Sequence, residues 1–269
     1  MADAALAVTW WGHATTTVEL GGVRVLTDPV LTRSLLHLRR AGPLPAARAR
    51  DADVVLLSHL HHDHLHHRSL RRLDPAVPVV APRGVRDGAG RWTSALLGGR
   101  ELVEVAPGDV VEVAGVRLAV HAADHPGTRD PWRGRRTRGR PAPPAIGFRL
   151  AVDGVSAWYP GDTGSGVDLG EVAPVDLALV PIGGWGPTLG AAHLDPDQAA
   201  SAVAAVEAAA ALGVHHGTFW PVGLRAVLPA RHRRFFVEPG PRFAEAMGRR
   251  APGVRVLRPG FGERVVLVG

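Results

Sequence analysis

The sequence contains no cysteine. This absence excludes disulfides, thiolate metal ligands, cysteine nucleophiles and thiol redox switches. Any metal site in the chain would therefore have to use histidine, aspartate, glutamate or backbone oxygen. Lysine and asparagine are absent too, so all 31 basic residues are arginine. We interpret this bias as a compositional feature of the genome, and arginine in place of lysine is weak evidence for a nucleic-acid partner.

Long apolar runs are also missing. No stretch approaches the roughly 18 uninterrupted apolar residues that span a membrane. Residues 1–10 include Asp3 but no basic region, unlike a secretory signal. Of the 269 residues, 46% are hydrophobic and 21% charged, as in a globular protein with a buried core. We expect a cytoplasmic protein without membrane insertion, and the net charge of +6 permits an anionic partner.

Short apolar runs bounded by turn residues predict a series of β-strands. They are 6–11, 15–20, 23–27, 54–57, 77–81, 102–105, 110–113, 116–121, 146–152, 155–159, 177–181, 213–215, 254–257 and 265–268. Asp195 before Pro196, with Gln198 three residues after the cap, predicts a helix that continues through an alanine-rich stretch to Leu212. A second helix is predicted over 239–249. Because strands and helices alternate without a composition break, we expect a single α/β domain over residues 1–269.

Histidines are concentrated in one place, with six of the 14 lying within residues 59–67. The pattern His-x-His-x-Asp-His begins at His59, directly after a predicted strand. At such a strand end, His59 and His61 would face one metal while Asp63 and His64 face a second close by. One cluster cannot complete two sites, so further ligands must come from other strand ends. The candidates are His125, Asp162 and His215.

Several motifs appear in a fixed order along nearly the whole chain. They are Trp11-Gly12-His13-Ala14, Thr27-Asp28-Pro29, the cluster from His59 to His64, His125, Gly161-Asp162-Thr163-Gly164, His193-Leu194-Asp195-Pro196 and His215-His216-Gly217-Thr218-Phe219. With these motifs the chain resembles the metallo-β-lactamase superfamily. Within it, the chain is similar to the branch of N-acyl-phosphatidylethanolamine-hydrolysing phospholipase D and the ascorbate-6-phosphate lactonases.

The resemblance implies an α/β fold, a four-layer αβ/βα sandwich, and a site for two zinc ions. Manganese or iron would also suit a site made of histidine and aspartate. One zinc would be bound by His59, His61 and His125. The second would be bound by Asp63, His64 and His215, and Asp162 would bridge the two ions. Asp28 and His13 would support these ligands through hydrogen bonds.

Other histidines compete for these positions. His121 lies four residues before His125, and His216 directly follows His215; we favour His125 and His215 on position. His193 would either cap the helix that follows it or reach the substrate. The remaining histidines of the cluster are expected to be solvated or to support the ligands rather than to bind metal; they are His62, His66 and His67.

The leading hypothesis is hydrolysis by a hydroxide that bridges two metals, acting on a small anionic phosphodiester or ester. Asp63 and His193 are the candidate catalytic residues, and Arg129 and Trp185 are the candidate substrate contacts. A lactonase is the alternative reaction. Pro-Gly-Thr-Arg-Asp follows His125 in place of the continuation associated with the phospholipase, and no apolar membrane-docking segment is recognised. Both observations argue against a phospholipid substrate.

Arginine is enriched between Pro126 and Pro144, where glycine and proline predict a long surface loop. Its arginines would form a solvated surface or attract an anionic substrate; they are Arg129, Arg133, Arg135, Arg136, Arg138 and Arg140. A nucleic-acid-processing enzyme and a non-catalytic metal scaffold are further alternatives. Trp132 is the one aromatic residue among these arginines, which makes nucleic acid the weaker candidate. A homo-oligomer is compatible with the sequence.

Overall fold

The computed structural model describes residues 5–129, 136–137, 140–184 and 190–268. Its β-strands are β1 (Leu6–Gly12), β2 (Thr15–Leu20), β3 (Val23–Thr27), β4 (Ser34–Leu35), β5 (Leu38–Arg40), β6 (Val54–Leu56), β7 (Val79–Pro82), β8 (Leu102–Val105), β9 (Val110–Val113), β10 (Val116–Ala122), β11 (Arg136–Thr137), β12 (Arg140–Pro141), β13 (Ile146–Val152), β14 (Val155–Tyr159), β15 (Val175–Pro181), β16 (Ala208–Val214), β17 (Phe219–Pro221), β18 (Arg255–Leu257) and β19 (Arg264–Val268).

The helices are shorter and less numerous than the strands. They are α1 (His67–Leu70), α2 (Val85–Gly88), α3 (Arg91–Gly98), α4 (Pro196–Ala205), α5 (Leu224–Val227), α6 (Pro229–His232) and α7 (Pro239–Arg250). A π-helical turn, Arg233–Val237, connects α6 to α7. Within the described part of the chain, no helix combines the length and apolar character needed to cross a membrane.

Two large sheets organise the fold, each with seven strands among the described residues. The first has the order β19-β1-β2-β3-β6-β7-β8 and the second the order β18-β16-β15-β14-β13-β10-β9. In each sheet one half is built from antiparallel neighbours and the other half from parallel strands. The two halves of the chain therefore repeat one topology. A small sheet, β17-β5-β4, lies beside them.

Three apolar clusters place the sheets and helices in layers. The central cluster joins Leu20 and Val18 of the first sheet to Phe148 and Leu179 of the second, so the sheets pack face to face. A second cluster packs side chains of α1, α2 and α3 against the outer face of the first sheet. A third packs α4 and α7 against the outer face of the second sheet. The result is the four-layer αβ/βα sandwich expected from the sequence.

The alanine-rich stretch after Asp195 departs from the prediction. The capped helix forms as expected, with the Asp195 carboxylate accepting from the backbone of Asp197 and Gln198, but it ends at Ala205. The predicted continuation to Leu212 is wrong, because residues 208–214 form β16 between β15 and β18. Alanine suits a helix and an interior strand equally in size, so burial between two parallel neighbours decides the outcome.

The segment from Pro126 to Pro144, expected as a loop, contains the two short paired strands β11 and β12. Three of its candidate anion-binding side chains, Arg133, Arg135 and Arg138, lie outside the described residues, as does Trp185. For Arg136 and Arg140 the backbone alone is described.

Arg40 is a buried cation that joins the small sheet to the first large sheet. Its guanidinium donates to the carbonyl oxygens of Trp11 at 2.8 Å, Val30 at 2.6 Å and Thr32 at 3.2 Å. Burial, followed by the nearby charge of Arg33, lowers its pKa to about 10. Three carbonyls thus depend on one side chain for their hydrogen bonds.

Replacing Arg40 with methionine should lower the free energy of unfolding by about 3 kcal/mol, because buried carbonyls lose a charged donor. Urea denaturation measures the change. Arg39→Met is the matched control, since Arg39 lies on the same strand and is exposed, and it should alter stability little. Equal stabilities for the two variants would contradict this role for Arg40.

Candidate metal centre

The candidate ligands lie at the same edge of both large sheets. Asp28 follows β3, His59 follows β6, His125 follows β10, Asp162 follows β14 and His215 follows β16. These five strands all end at this edge, and carboxyl ends of parallel strands are a common place for functional sites. The chain turns sharply there, and Asp28 and His215 adopt positive φ angles of 32° and 60°. Such conformations are costly for non-glycine residues and cluster at functional sites.

Four groups of described side chains have the composition of a metal site, and two of them contain the ligand sets expected from the sequence. The first consists of His59, His61 and His125, each offering one ligand atom, and these atoms lie within 4.8 Å of one another. Within it, His61 Nδ1 is 3.2 Å from His125 Nε2. The second group consists, on the same criterion, of His13, Asp63, His64 and His215.

Asp162 lies between the two groups. Its Oδ2 is 3.3 Å from His64 Nε2 and 3.1 Å from His215 Nε2. It also forms a further ligand-like group with His125 and His193. For comparison, ligand atoms about 2.1 Å from a tetrahedral metal are separated from each other by about 3.4 Å. The two spacings fit a carboxylate beside the second group, and its grouping with His125 brings Asp162 within 4.8 Å of a ligand atom of the first.

Buried atoms without hydrogen-bond partners are concentrated at this point. They include Nε2 of His59, His61, His64 and His215 and Oδ1 of Asp162. Buried polar atoms are nearly always bonded, so a convergent set of unbonded imidazole nitrogens and a carboxylate oxygen needs an explanation. A bound metal cation would supply one, and the donor set of nitrogen and oxygen suits zinc, manganese or iron.

Hydrogen bonds fix which nitrogen of each ring is available. His64 Nδ1 lies 2.6 Å from Asp28 Oδ2, and His125 Nδ1 lies 2.8 Å from the carbonyl oxygen of Ala192. Both partners are acceptors, so Nδ1 carries the proton and Nε2 presents its lone pair. His59 Nδ1 is 3.0 Å from Ser58 Oγ, whose own proton goes to Asp28. Acceptors of this kind orient the histidine ligands of metal sites.

Asp28 is fully buried and collects donors from three elements. Besides His64, it accepts from the backbone N–H of Ser58 at 2.8 Å and from the Ser58 hydroxyl at 2.5 Å. The hydroxyl of Tyr159, at the end of β14, also donates to it. Gly161 makes this approach possible, since a Cβ there would lie 2.4 Å from the Cβ of Ser58.

The carboxylates of Asp162 and Asp63 stabilise positive charge at the candidate metal centre. Burial raises the pKa of Asp162, but His215 and His64 outweigh burial and hold it well below the usual range. Burial lowers the pKa of His215, yet Asp162 and Asp63 raise it to about 9. Protons and metal cations therefore compete for the same nitrogens, and acid should displace metal.

The structure shows different surroundings for the alternative ligands, His121 against His125 and His216 against His215. His121 accepts a hydrogen bond from Trp158 Nε1 at 2.9 Å and belongs to none of the ligand groups, whereas His125 does. His216 stacks on Trp10, with ring centroids 5.1 Å apart, while His215 faces Asp162.

The other histidines of the cluster also point to other partners. His62 Nδ1 contacts Arg129 at 2.9 Å, and His66 Nδ1 contacts Ser69 Oγ at 2.8 Å. His67 is the first residue of α1. These positions agree with the expectation that His62, His66 and His67 are not ligands, and their roles stay predictions.

His193 has a different role from helix capping. Asp195 is the cap of α4, through its carboxylate and the reciprocal bond from Gln198. The His193 ring instead faces the centre, with Nε2 at 3.3 Å from Asp162 Oδ2. Its centroid is 4.7 Å from that of His125. His193 therefore lies beside the candidate metal centre rather than at the helix cap, and its contact with substrate stays a prediction.

His13 and Arg129 contact the candidate ligands from outside. His13 Nε2 is 3.0 Å from Asp63 Oδ2, and burial, with the charge of His215, lowers its pKa to about 4. Arg129 donates to the carbonyl oxygens of Leu60 and Leu65, at 3.2 and 2.8 Å, and so stabilises the backbone of the histidine cluster. Substrate contact by Arg129 stays a prediction.

Sequence reasoning assigned no role to two residues of the Asp28 network. Ser58 opens the histidine cluster, and Tyr159 is the single tyrosine of the chain, three residues before Asp162. Their nearness to ligands was the available signal. Their shared partner lies 30 and 131 positions away, respectively, so spacing could not reveal it.

Asp28→Asn should weaken metal affinity about 10- to 100-fold, because an amide cannot accept from all of these donors and no longer orients His64. Competition with a chromophoric chelator measures the affinity. Tyr159→Phe, which removes one donor and retains the ring, should weaken affinity in the same direction but less. Asp53→Asn, at an exposed pair with Arg24, is the control. Unchanged affinity in Asp28→Asn would refute this support role.

Comparison with known proteins identifies the family. The beta-lactamase superfamily domain matches residues 23–216. A UPF0173 metal-dependent hydrolase of Nitratidesulfovibrio vulgaris is 31% identical over 275 residues, covering 97% of this chain and 95% of its own. N-acyl-phosphatidylethanolamine-hydrolyzing phospholipase D 1 of Caenorhabditis elegans is 27% identical over 265 residues, covering 92% of this chain and 71% of its own.

Among solved structures, a metallo hydrolase from the archaeon Ignicoccus hospitalis is similar, with a TM-score of 0.65, 19% identity and 97% coverage of both chains. This likeness confirms the expected αβ/βα fold. The chain therefore belongs to the metallo-β-lactamase superfamily and falls among its members that are named metal-dependent hydrolases.

Proposed function

We propose that this protein is a binuclear metal-dependent hydrolase. The observation that carries the proposal is the pair of ligand groups that share Asp162, with unbonded ring nitrogens converging from both sides. His59, His61 and His125 would hold one ion, and Asp63, His64 and His215 the other, with Asp162 between them. Zinc is the ion we favour. The apolar core shared by both sheets supports the prediction of a single domain over residues 1–269. The cytoplasmic location stays a prediction.

Two ions held in this way would supply Lewis-acid polarisation of the substrate and a water of lowered pKa near neutral pH. The protein's own residues supply position and proton control. Asp28, Ser58 and Tyr159 hold the ring of His64 rigidly, and Ala192 holds that of His125. His13 keeps the carboxylate of Asp63, the second candidate catalytic residue, in a fixed orientation.

His193 is the residue we assign to proton transfer. Its Nδ1 is buried without a hydrogen-bond partner, and its Nε2 faces Asp162. A histidine beside the reacting centre can give a proton to the leaving-group oxygen, and such assistance is typically worth about 10²- to 10⁴-fold in rate.

The substrate we favour is a small anionic phosphodiester or ester. Support comes from the relative named as a phospholipase D, since that name describes cleavage of a phosphodiester. Arg129 lies next to His62 of the histidine cluster and would add positive electrostatic potential there. Trp185, the other proposed substrate contact, lies outside the described residues.

Protein prepared without chelators should contain about two transition-metal ions per chain, by elemental analysis. Asp162→Asn should lose metal and most hydrolysis. His193→Gln should retain the metal and lose about 10²- to 10⁴-fold in kcat. Asp176→Asn is the control, because Asp176 accepts from Ser156 away from the centre. Metal-free wild-type protein, or full activity in Asp162→Asn, would refute the proposal.

A panel of chromogenic phosphodiesters, carboxylic esters and lactones should show hydrolysis of phosphodiesters or esters. Each compound is assayed with the purified metal-loaded enzyme and with His193→Gln. Activity confined to lactones would establish the lactonase alternative in place of the phosphodiesterase.

A further inference from the structure

The segment from Phe219 to Glu238 contains no buried residue. It consists of β17, α5, α6 and the π-helical turn Arg233–Val237, and none of these helical pieces buries a side chain. An ordinary surface helix places an apolar stripe against the core. Because no side chain of this segment is fully buried, its exposed apolar side chains require another explanation.

Exposed aliphatic side chains from two parts of the chain meet here. Val222 and Val227 are 67% and 71% exposed, and Leu36, between β4 and β5, is 71% exposed. Pro221 pairs with Leu38, which brings the β4–β5 turn beside Val222. Exposed apolar patches of this kind mark interaction sites. Residues 219–238 and the β4–β5 turn together form what we call the outer surface.

A groove of about 450 Å³ runs into the outer surface. Trp220 forms one wall, packing edge-on against His232 and Phe236 with centroid distances of 5.0 and 5.8 Å. Its indole Nε1 is buried and has no acceptor among the described residues. Arg39 and Arg225 also line the groove. Apolar walls beside guanidinium and indole donors suit a partner with apolar arms and anionic or carbonyl oxygens.

The positive charge of the segment favours an anionic partner. Residues 208–237 include no aspartate or glutamate but carry Arg225, Arg231, Arg233 and Arg234. Arg233 pairs with Glu238 at 2.8 Å. Two copies of this surface facing each other across a twofold axis would bring arginine onto arginine, which repulsion disfavours. An anionic partner is complementary.

Among anionic partners, a lipid surface fits both features. Nucleic acid would neutralise the arginines but leave the protruding aliphatic side chains uncovered. A protein partner would need a matching pocket for each of them. Exposed apolar side chains on a surface rich in arginine combine the two contributions that hold peripheral elements at a membrane interface, which are burial of apolar area and attraction to anionic lipids.

We propose that the outer surface docks this protein onto an anionic lipid surface. Val222, Val227 and Leu36 enter the headgroup region, and the arginines contact lipid phosphates. Docking is peripheral and involves no membrane-spanning element. These apolar residues follow neither a helical nor a strand period, so no sequence pattern marks them as a docking segment.

The outer surface begins at the metal centre. The ring of Phe219 stands edge-on to that of His13, with centroids 5.6 Å apart, and His13 contacts Asp63. Docking would therefore hold the centre beside the lipid. The docking proposal goes beyond hydrolysis and does not depend on it, since binding can be measured without any substrate.

The test is co-sedimentation of the full chain with two kinds of vesicle, one of phosphatidylcholine alone and one of phosphatidylcholine and phosphatidylglycerol in equal parts. We expect binding to the anionic vesicles that weakens as salt is raised. Arg225→Ala should weaken binding about five-fold, and Val227→Glu should weaken it about ten-fold or more.

The controls match each change elsewhere on the surface. Val110→Glu replaces a valine of β9 that is 52% exposed, and Arg117→Ala replaces an exposed arginine of β10. Both should bind like the wild type. Circular dichroism melting curves verify that all four variants are folded.

Absence of binding to the anionic vesicles would overturn the proposal in favour of a protein partner, and equal binding to both vesicles would overturn the role of anionic lipid. Unchanged binding by folded Val227→Glu would also overturn the proposal. Chain mass in solution is measured in parallel by light scattering. A dimer that Val227→Glu dissociates without lipid would instead make the outer surface an interface between copies of this chain.

Discussion

The carboxylate of Asp28 is the point at which the two sheets and the candidate metal ligands meet. It stands at the end of β3, accepts from Ser58 at the end of β6 in the same sheet, and from Tyr159 at the end of β14 in the other sheet. Removing a carboxylate from water is expensive unless donors replace its hydration. Here four donor groups do so, among them the ring of His64. Packing of the sheets and orientation of a candidate ligand therefore rest on the same buried charge.

A second constraint is the charge balance around that network. Asp63 and Asp162 face His64 and His215; burial raises the pKa of both carboxyl groups, but positive charge on the facing imidazoles outweighs burial and holds them well below the usual range. Protons on the imidazoles or a metal cation can both provide positive charge here. A chain without cysteine has no thiolates to offer such a cation, so the centre is confined to imidazole and carboxylate ligands.

Local patterns of the sequence predicted most strands and the candidate ligands. Strands such as β2, β3 and β13 are marked by dense apolar residues between turns, and the histidine cluster is contiguous. The predicted extent of α4 was wrong, because alanine favours a helix locally and pairing with the neighbouring strands overrides that preference. The contacts of Asp28 with Ser58 and Tyr159 join distant parts of the chain. Only the packing of the two sheets creates them, and no spacing rule encodes them.

The same packing explains why the outer surface and the metal centre form one unit. The Thr218 hydroxyl accepts from the backbone N–H of His13 at 2.6 Å, and the Thr218 carbonyl accepts from Ala41 at 2.8 Å, next to β5. His13 in turn accepts at its carbonyl from the backbone of His215. Hydrogen bonds of Thr218, directly before β17, thus join this strand to His13, a residue that contacts Asp63. Because β17 begins at Phe219, soon after His215, the outer surface and a candidate ligand of the second group lie on one short stretch of chain.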